Sequence, residues 1–481
     1  MEFRATQASR EALRRLPTPA RPIVDGRDVV VPDGYAAEPL VVGLSFPTCL
    51  AFADDGTLFI GEGGSTWPTR PYMPPRILHL DASGRLEPIA TEVLGGPRGL
   101  AWRDGALYVS LKGGYTTRVV RHDLATGERT VIVDGLPNGG WHEPGGPLFG
   151  PHDGLMYFAQ GSVALNGVVE PAGFTVDLAK HPRAHDVPGQ DVTLSGNNVW
   201  SRNPTTAYPF LAETGPFKPF GVPAKKGEVV KGRLFCSTCV MRARPDGSQP
   251  ELLAWGVRNP FGMAFSEDGE LYVSDNDLEE KGDRPVGEDP DRIWHIRNAR
   301  QPHGSVTTPD WYGFPDFCGD GLPVWHEKHR PQRGPVPEPL LENPPPLAGP
   351  AAYLAEPHTC LTKMDFCRSD AFGPGQRGKL LLCRHGTYYP LNSLRPEHRH
   401  NGFNVARIDL ATGATESFAR NREPGPASAH PGGGGIERPV DCKFSPDGRS
   451  LYVLDFGVTT VTRDHVVSYA HTGVLWRITR R

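Results

Sequence analysis

The stretch Phe46–Gly64, FPTCLAFADDGTLFIGEGG, holds the plan of the chain. A proline-containing turn leads into a short apolar run, an Asp-Gly turn reverses the chain, and a second apolar run follows. Glycine at the reversal tolerates positive φ, so the stretch reads as two antiparallel strands joined by a tight turn. The same unit recurs at Gly95 (GGPRGLAWRDGALYVSLKG), at His142 (HEPGGPLFGPHDGLMYFAQG) and at Arg258 (RNPFGMAFSEDGELYVSDND). A looser copy starts at His358 and a sixth, ERPVDCKFSPDGRSLYVLDFG, at Glu437. The first three turn glycines, Gly56, Gly105 and Gly154, keep a constant spacing of 49 residues. Several copies are followed by a second hairpin, as in RILHLDASGRLEPIA from Arg76 and FNVARIDLATGATESFA from Phe403. Four strands per unit, repeated six times, predict an all-β fold, a six-bladed β-propeller. Stacked sandwiches would also give many short strands, but a fixed period favours the propeller. The last copy supplies three strands ending in GVLWRITRR, and AAEPLVVGL before the first copy would be its fourth. Pairing these two chain ends would close the ring and remove two open edges.

Composition agrees with such a fold. There are 57 glycines and 50 prolines among 481 residues, roughly double the usual share of about 12%. Long helices are excluded by this punctuation. The formal charge of -4 leaves no basic footprint for nucleic acid, and no stretch has the length of a membrane span. Residues 1–34 read as an N-terminal arm and 35–481 as the propeller, with insertions at about 162–235 and 299–357. Insertions of this length either carry function or seal blade edges. The arm has basic residues but no apolar run, so the sequence reads as cytoplasmic, or as exported if a leader was removed. Of eight cysteines only Cys236 and Cys239 form a C-x-x-C pair. Without a second pair this suggests a local disulfide or two plain thiols rather than zinc. Val240 follows, so no haem attachment motif is present and any electron acceptor would be a separate molecule.

In a propeller, ligands sit where the turns entering the innermost strands converge. Those turns carry Thr48, Arg98, His142, Arg258 with Asn259, His358 and Arg438; Arg384 and His385 follow the fifth hairpin. Arginines and histidines gathered there are costly unless paired or liganded. His142 is the best general base, because imidazole exchanges a proton near neutrality. Arg258 and Arg438 suit carboxylates of a bound anion, or brace blades through an Asp such as Asp441 or Asp455. Asp275, Asn276 and Asp277 form an oxygen-rich loop of the kind calcium takes, though acidic loops are more often only exposed. A transition-metal alternative would use His142, His358 and His385 together.

These segments resemble a known family, the soluble quinoprotein glucose/sorbosone dehydrogenases, from about Tyr35 to Arg481. The likeness rests on His142 with its following G-P-H-D-G turn, on WGVRNPFGMAF, on PDWYGFPDF and on ERPVDCKFSPDG. It implies a propeller binding pyrroloquinoline quinone (PQQ) and calcium. His142 would take the proton of a sugar hydroxyl as hydride passes to the quinone. Arg258, Asn259 and Arg438 would hold the cofactor, helped by Arg384 or His385 where the family has a lysine. Where the family offers a Gly-Pro pair to calcium this chain reads Asp275-Asn276-Asp277-Leu278, and Val440 stands where a second arginine is expected. Three functions follow: a PQQ- and calcium-dependent dehydrogenase of a sugar, polyol or aldehyde; a metal-only hydrolase, lactonase or oxidase using the histidines; and a non-catalytic propeller binding an anionic ligand.

Overall fold

The computed structural model describes residues 23–65, 69–81, 83–91, 95–113, 116–140, 142–173, 178, 181–206, 208 and 210–481. The described residues form strands, turns and single 3-10 turns, with no α-helix among them, and hence no helix able to cross a membrane. The chain divides into two compact units, Met1–Pro97 with His358–Arg481, and Arg98–Pro357.

Each unit contains three antiparallel sheets of four or five strands. In the first unit, Cys49–Phe52, Leu58–Glu62, Arg76–Leu80 and Leu86–Thr91 make one meander, in which chain order and sheet order coincide. Leu361–Phe366, Leu380–Arg384, Asn404–Ile408 and Thr415–Asn421 make a second. In the third, Pro439–Phe444, Ser450–Asp455 and Gly473–Arg480 are completed by Tyr35–Leu44, which runs antiparallel to Gly473–Arg480 from Tyr35 opposite Arg480 to Leu44 opposite Gly473. The segment 23–34, expected as part of an arm, is built in. Val29–Val30 adds a fifth strand beside Thr415–Asn421, and Val29 is buried against Phe418 and Ile436. The rest of the expected arm, 1–22, lies outside the described residues.

In the second unit the sheets start from Pro97–Arg103, Pro144–Phe149 and Pro260–Phe265. The insertions serve them as edges. Asp310–Trp311 adds a parallel strand to Glu251–Trp255, and Tyr353–Leu354 adds an antiparallel strand to Arg292–His295. Val187, Val192, Leu194 and Phe217 of the first insertion are buried with Met156, Met241 and Trp255. This packing excludes water from sheet edges that would otherwise expose unpaired backbone groups.

The turn glycines behave as the repeat requires: Gly56, Gly105, Gly154, Gly269 and Gly448 all have positive φ. Only the second copy places both turn residues there, with Asp104 at φ 48. The first copy instead uses a longer turn closed by Ala53 N–H to Thr57 O at 2.8 Å.

A second repeated device is not visible as a spacing. Asp275, ending the strand Leu271–Asp275, accepts Asn259 N–H at 2.7 Å and the indole N–H of Trp294 at 2.9 Å. Asp455, ending Ser450–Asp455, accepts Arg438 N–H at 2.7 Å and the indole N–H of Trp476 at 3.4 Å. In both copies a buried carboxylate fixes the turn that enters the innermost strand, and orphan backbone donors are satisfied in the same stroke.

Candidate functional site

In the second unit the site is built around His142, at the turn before Pro144–Phe149. Gly161 faces it across the hairpin, and a Cβ on Gly161 would stand 2.5 Å from His142 Cβ. Glycine is therefore required there for the imidazole to fit. His142 Nδ1 lies 2.6 Å from Ser162 Oγ and 3.0 Å from Ser162 O. A carbonyl only accepts, and Ser162 Oγ donates its own proton to Ala164 O at 2.7 Å. The ring proton therefore sits on Nδ1. Nε2 is left as the acceptor, with no hydrogen-bond partner among the described residues. Burial, then the charges of Arg258, Lys112 and Lys281, push the His142 pKa well below its ordinary value. At neutral pH the ring is uncharged and ready to take a proton.

Around it stands a buried frame that the sequence reading missed. Lys112 Nζ donates to Gly140 O at 2.8 Å and to His142 O at 3.3 Å. Glu143 joins Lys112 at 3.7 Å and Arg98 at 2.5 Å. Burial lowers the Lys112 pKa to about 8. Arg98, expected to face a ligand, is thus a brace for the turn that carries His142. No local spacing signals this, since Arg98 and Glu143 belong to different copies of the repeat.

Arg258 and Asn259 are both held in place. Arg258 Nε donates to Leu165 O at 2.9 Å, Nη1 donates to Asp277 O, and Nη2 stands 3.8 Å from Glu279. Nη2 is buried and makes no hydrogen bond among the described residues. Asn259 accepts Glu143 N–H at 3.2 Å and donates to Asn276 Oδ1 at 2.7 Å. Its side chain ties two inner turns together, with one amide N–H left over.

The oxygen-rich loop Asp275-Asn276-Asp277 is bonded to its neighbours within the protein. Asp275 is fully buried, and its two oxygens are taken by Asn259 N–H, the Trp294 indole and Arg292 Nε at 3.1 Å. Asn276 Oδ1 takes Asn259, and the Asp277 carbonyl takes Arg258. Asp275 has the same role as Asp455 in a repeat where no metal was expected. Among the described residues no group of three or more His, Cys, Asp or Glu side chains is arranged to hold a metal ion. Asp275→Ala is expected to lower stability by about 3–5 kcal/mol, because it takes one of two carboxylates from buried Arg292 and leaves the Asn259 N–H and the Trp294 indole unpaired. Thermal unfolding would measure that loss, and any calcium response should be unchanged.

In the first unit the expected site residues are Arg438, Arg384, His385 and His358. Its Nη1 donates to Gly386 O at 2.9 Å and its Nη2 to Thr387 O at 3.1 Å. The guanidinium lies 4.7 Å from the Tyr388 ring centroid and 5.0 Å from that of Phe403. Although it is only 3% exposed, no carboxylate comes within ion-pair distance among the described residues. Asp455, foreseen as a brace, takes the backbone N–H of Arg438 and not its charge. His385 Nε2 lies 3.1 Å from Tyr388 Oη, and burial together with Arg438 holds its pKa well below the ordinary value. Arg384 Nη2 donates to Thr359 Oγ1 at 3.3 Å. His358 is buried, with φ 58 and its ring 5.0 Å from that of His398. Tyr388 and Phe403 were missed because nothing in R-H-G-T-Y-Y-P or N-G-F-N-V marks an aromatic as the stacking partner of an arginine fifty or thirty-five positions away. None of the eight cysteines is joined in a disulfide, Cys236 and Cys239 included.

No protein-family model and no curated protein matches the chain. Solved structures do. The holo PQQ domain of pyranose dehydrogenase from Coprinopsis cinerea is 16% identical, with 96% of this chain and 99% of that chain covered and a TM-score of 0.56. A Trichoderma reesei carbohydrate-active enzyme of family AA12, in its calcium structure, is 14% identical over 96% and 99%, at 0.53. The soluble aldose sugar dehydrogenase of Escherichia coli, in its apo form, is 15% identical over 93% and 100%, at 0.51. The chain shares its all-β, propeller-like fold with these oxidoreductases.

Proposed function

We propose that the protein is a PQQ-dependent oxidoreductase that oxidises a sugar or a related polyol or aldehyde. The observation that carries this is His142: a buried, neutral imidazole whose Nδ1–H is fixed and whose Nε2 is open. A fold shared with a PQQ domain and with aldose sugar dehydrogenases supports the same reading. The fold proposed with it is six-bladed, the six sheets being the blades and the pairing of Tyr35–Leu44 with Gly473–Arg480 the closure.

The chain's own residues fit an anionic cofactor. Arg438 is a buried cation lacking a carboxylate, with flat aromatic faces beside it, and Arg258 Nη2 is a buried donor lacking a hydrogen bond. Arg438 and Arg258 would hold carboxylates, with Arg384, His385 and the spare Asn259 amide proton assisting. PQQ, when bound, supplies the two-electron acceptor for hydride. His142 Nε2 takes the proton of the substrate hydroxyl as the C–H bond gives up hydride, and Lys112 and Glu143 keep the turn that carries it in place. Calcium is assigned no residue and no step, because the loop expected to bind it is internally bonded. Electrons leave to a separate acceptor.

The test is a titration of PQQ into metal-stripped protein, with and without calcium, followed by absorbance. Saturation near one quinone per chain, and reduction of an artificial acceptor on adding aldoses, is expected. Absence of binding in both conditions overturns the proposal.

A further inference from the structure

The first long insertion sends one buried carboxylate back toward His142. Asp186 is 2% exposed; its Oδ1 accepts Val163 N–H at 2.7 Å and its Oδ2 accepts Ala164 N–H at 2.9 Å. These amides belong to the two residues that follow Ser162, the partner of His142 Nδ1. Ser162 is gripped on its other side as well, its N–H donating to Arg258 O at 2.8 Å. Asp186 is itself seated. The Ser237 hydroxyl of the C-S-T-C turn grips the next residue, taking Val187 N–H at 3.0 Å and donating to Val187 O at 3.2 Å. That turn holds Thr238 at φ 57, a conformation that a β-branched residue keeps only where its surroundings over-determine it.

We propose that Asp186 is a positioning residue for His142. By holding two consecutive amides, it keeps the Ser162 carbonyl and hydroxyl on Nδ1, and so keeps the ring proton there and the lone pair on Nε2. A carboxylate is needed because both atoms facing the amides must accept. An asparagine offers one acceptor and turns an N–H toward the other donor. The C-x-x-C segment thereby gains a role as the abutment for Asp186, independent of thiol chemistry. The inference rests on His142 being the base.

The test uses cofactor-free protein labelled with 15N-histidine, in which ring nitrogen shifts report the tautomer of His142. Wild type should show the Nδ1–H form. Asp186→Asn should show a mixture of tautomers and faster amide exchange at Val163 and Ala164. In the PQQ-loaded enzyme its kcat should fall about 10- to 100-fold with KM within about twofold, the pattern of a displaced catalytic group. A folded Asp186→Asn protein with an unchanged tautomer and kcat within twofold overturns the proposal. If circular dichroism shows that this variant does not fold, Ser237→Ala decides: a smaller shift of the tautomer in the same direction supports the role, and no shift overturns it. A tautomer shift combined with full activity of His142→Asn would support the positioning role while overturning the reading of His142 as base.

Discussion

His142→Asn is expected to lower kcat/KM for sugar oxidation about 10³-fold, the scale of losing a positioned general base. PQQ affinity should stay within about threefold, because His142 carries no charge and makes none of the proposed carboxylate contacts. The ring's environment also sets a pH signature. A base works only when unprotonated, and burial with Arg258, Lys112 and Lys281 disfavours the imidazolium. The rate of the wild type should therefore stay level as pH falls through the ordinary imidazole range, and decline only below it. Stopped-flow rates between pH 5 and pH 9 provide the check. A decline centred near neutrality, or a His142→Asn variant retaining a tenth of the rate, would remove His142 from its assigned role.

Arg438→Met should weaken PQQ binding about 100- to 1,000-fold. Charge-assisted hydrogen bonds to a carboxylate contribute roughly 1.5–3 kcal/mol each, and the buried setting keeps them from being screened. The same change should cost the cofactor-free fold little, about 1 kcal/mol or less. Methionine fills the space between Tyr388 and Phe403, and a buried guanidinium without a carboxylate is removed. Arg292 gives the contrast. It is buried to the same degree but bound to Asp275 at 3.1 Å and Asp289 at 2.8 Å, as a structural cation is. Isothermal titration with PQQ and thermal unfolding of the free protein separate the two effects. A variant that loses stability heavily while binding PQQ normally would make Arg438 a structural brace.

The sheets were legible because their signals are local. Each copy of the repeat needs a glycine at positive φ and two apolar runs within about twenty residues, and those constraints are written side by side. The site was half legible. His142, Arg258 and Arg438 stand out as charged or titratable types in turns where such groups need a reason. What they touch is another matter. Asp275 reads as part of an oxygen-rich loop, yet its carboxylate reaches an amide sixteen positions earlier and an indole nineteen positions later. Its counterpart Asp455 has the same letter and the same duty, and only the geometry reveals that the two are one device. Ser162 and Asp186 were invisible for a related reason. Their role depends on which backbone atoms a long insertion brings back to one turn, and neither composition nor spacing records that. The insertions themselves were given two readings, and the buried Val187, Val192 and Leu194 and the added edge strands favour sealing.

The antiparallel match of Tyr35–Leu44 with Gly473–Arg480 has a consequence for how the protein is made. A ribosome releases its product from the amino end at about 5–20 residues per second, so Tyr35–Leu44 emerges on the order of a minute before its hydrogen-bonding partner. Through that interval Tyr35–Leu44 is an unpaired edge with exposed backbone donors and acceptors, open to the wrong neighbour. The sheet that receives it is finished only once Gly473–Arg480 has been translated. A nascent chain stalled or clipped short of Gly473 would therefore carry an unmatched strand more than four hundred residues upstream, and quality control would meet the defect far from the damage.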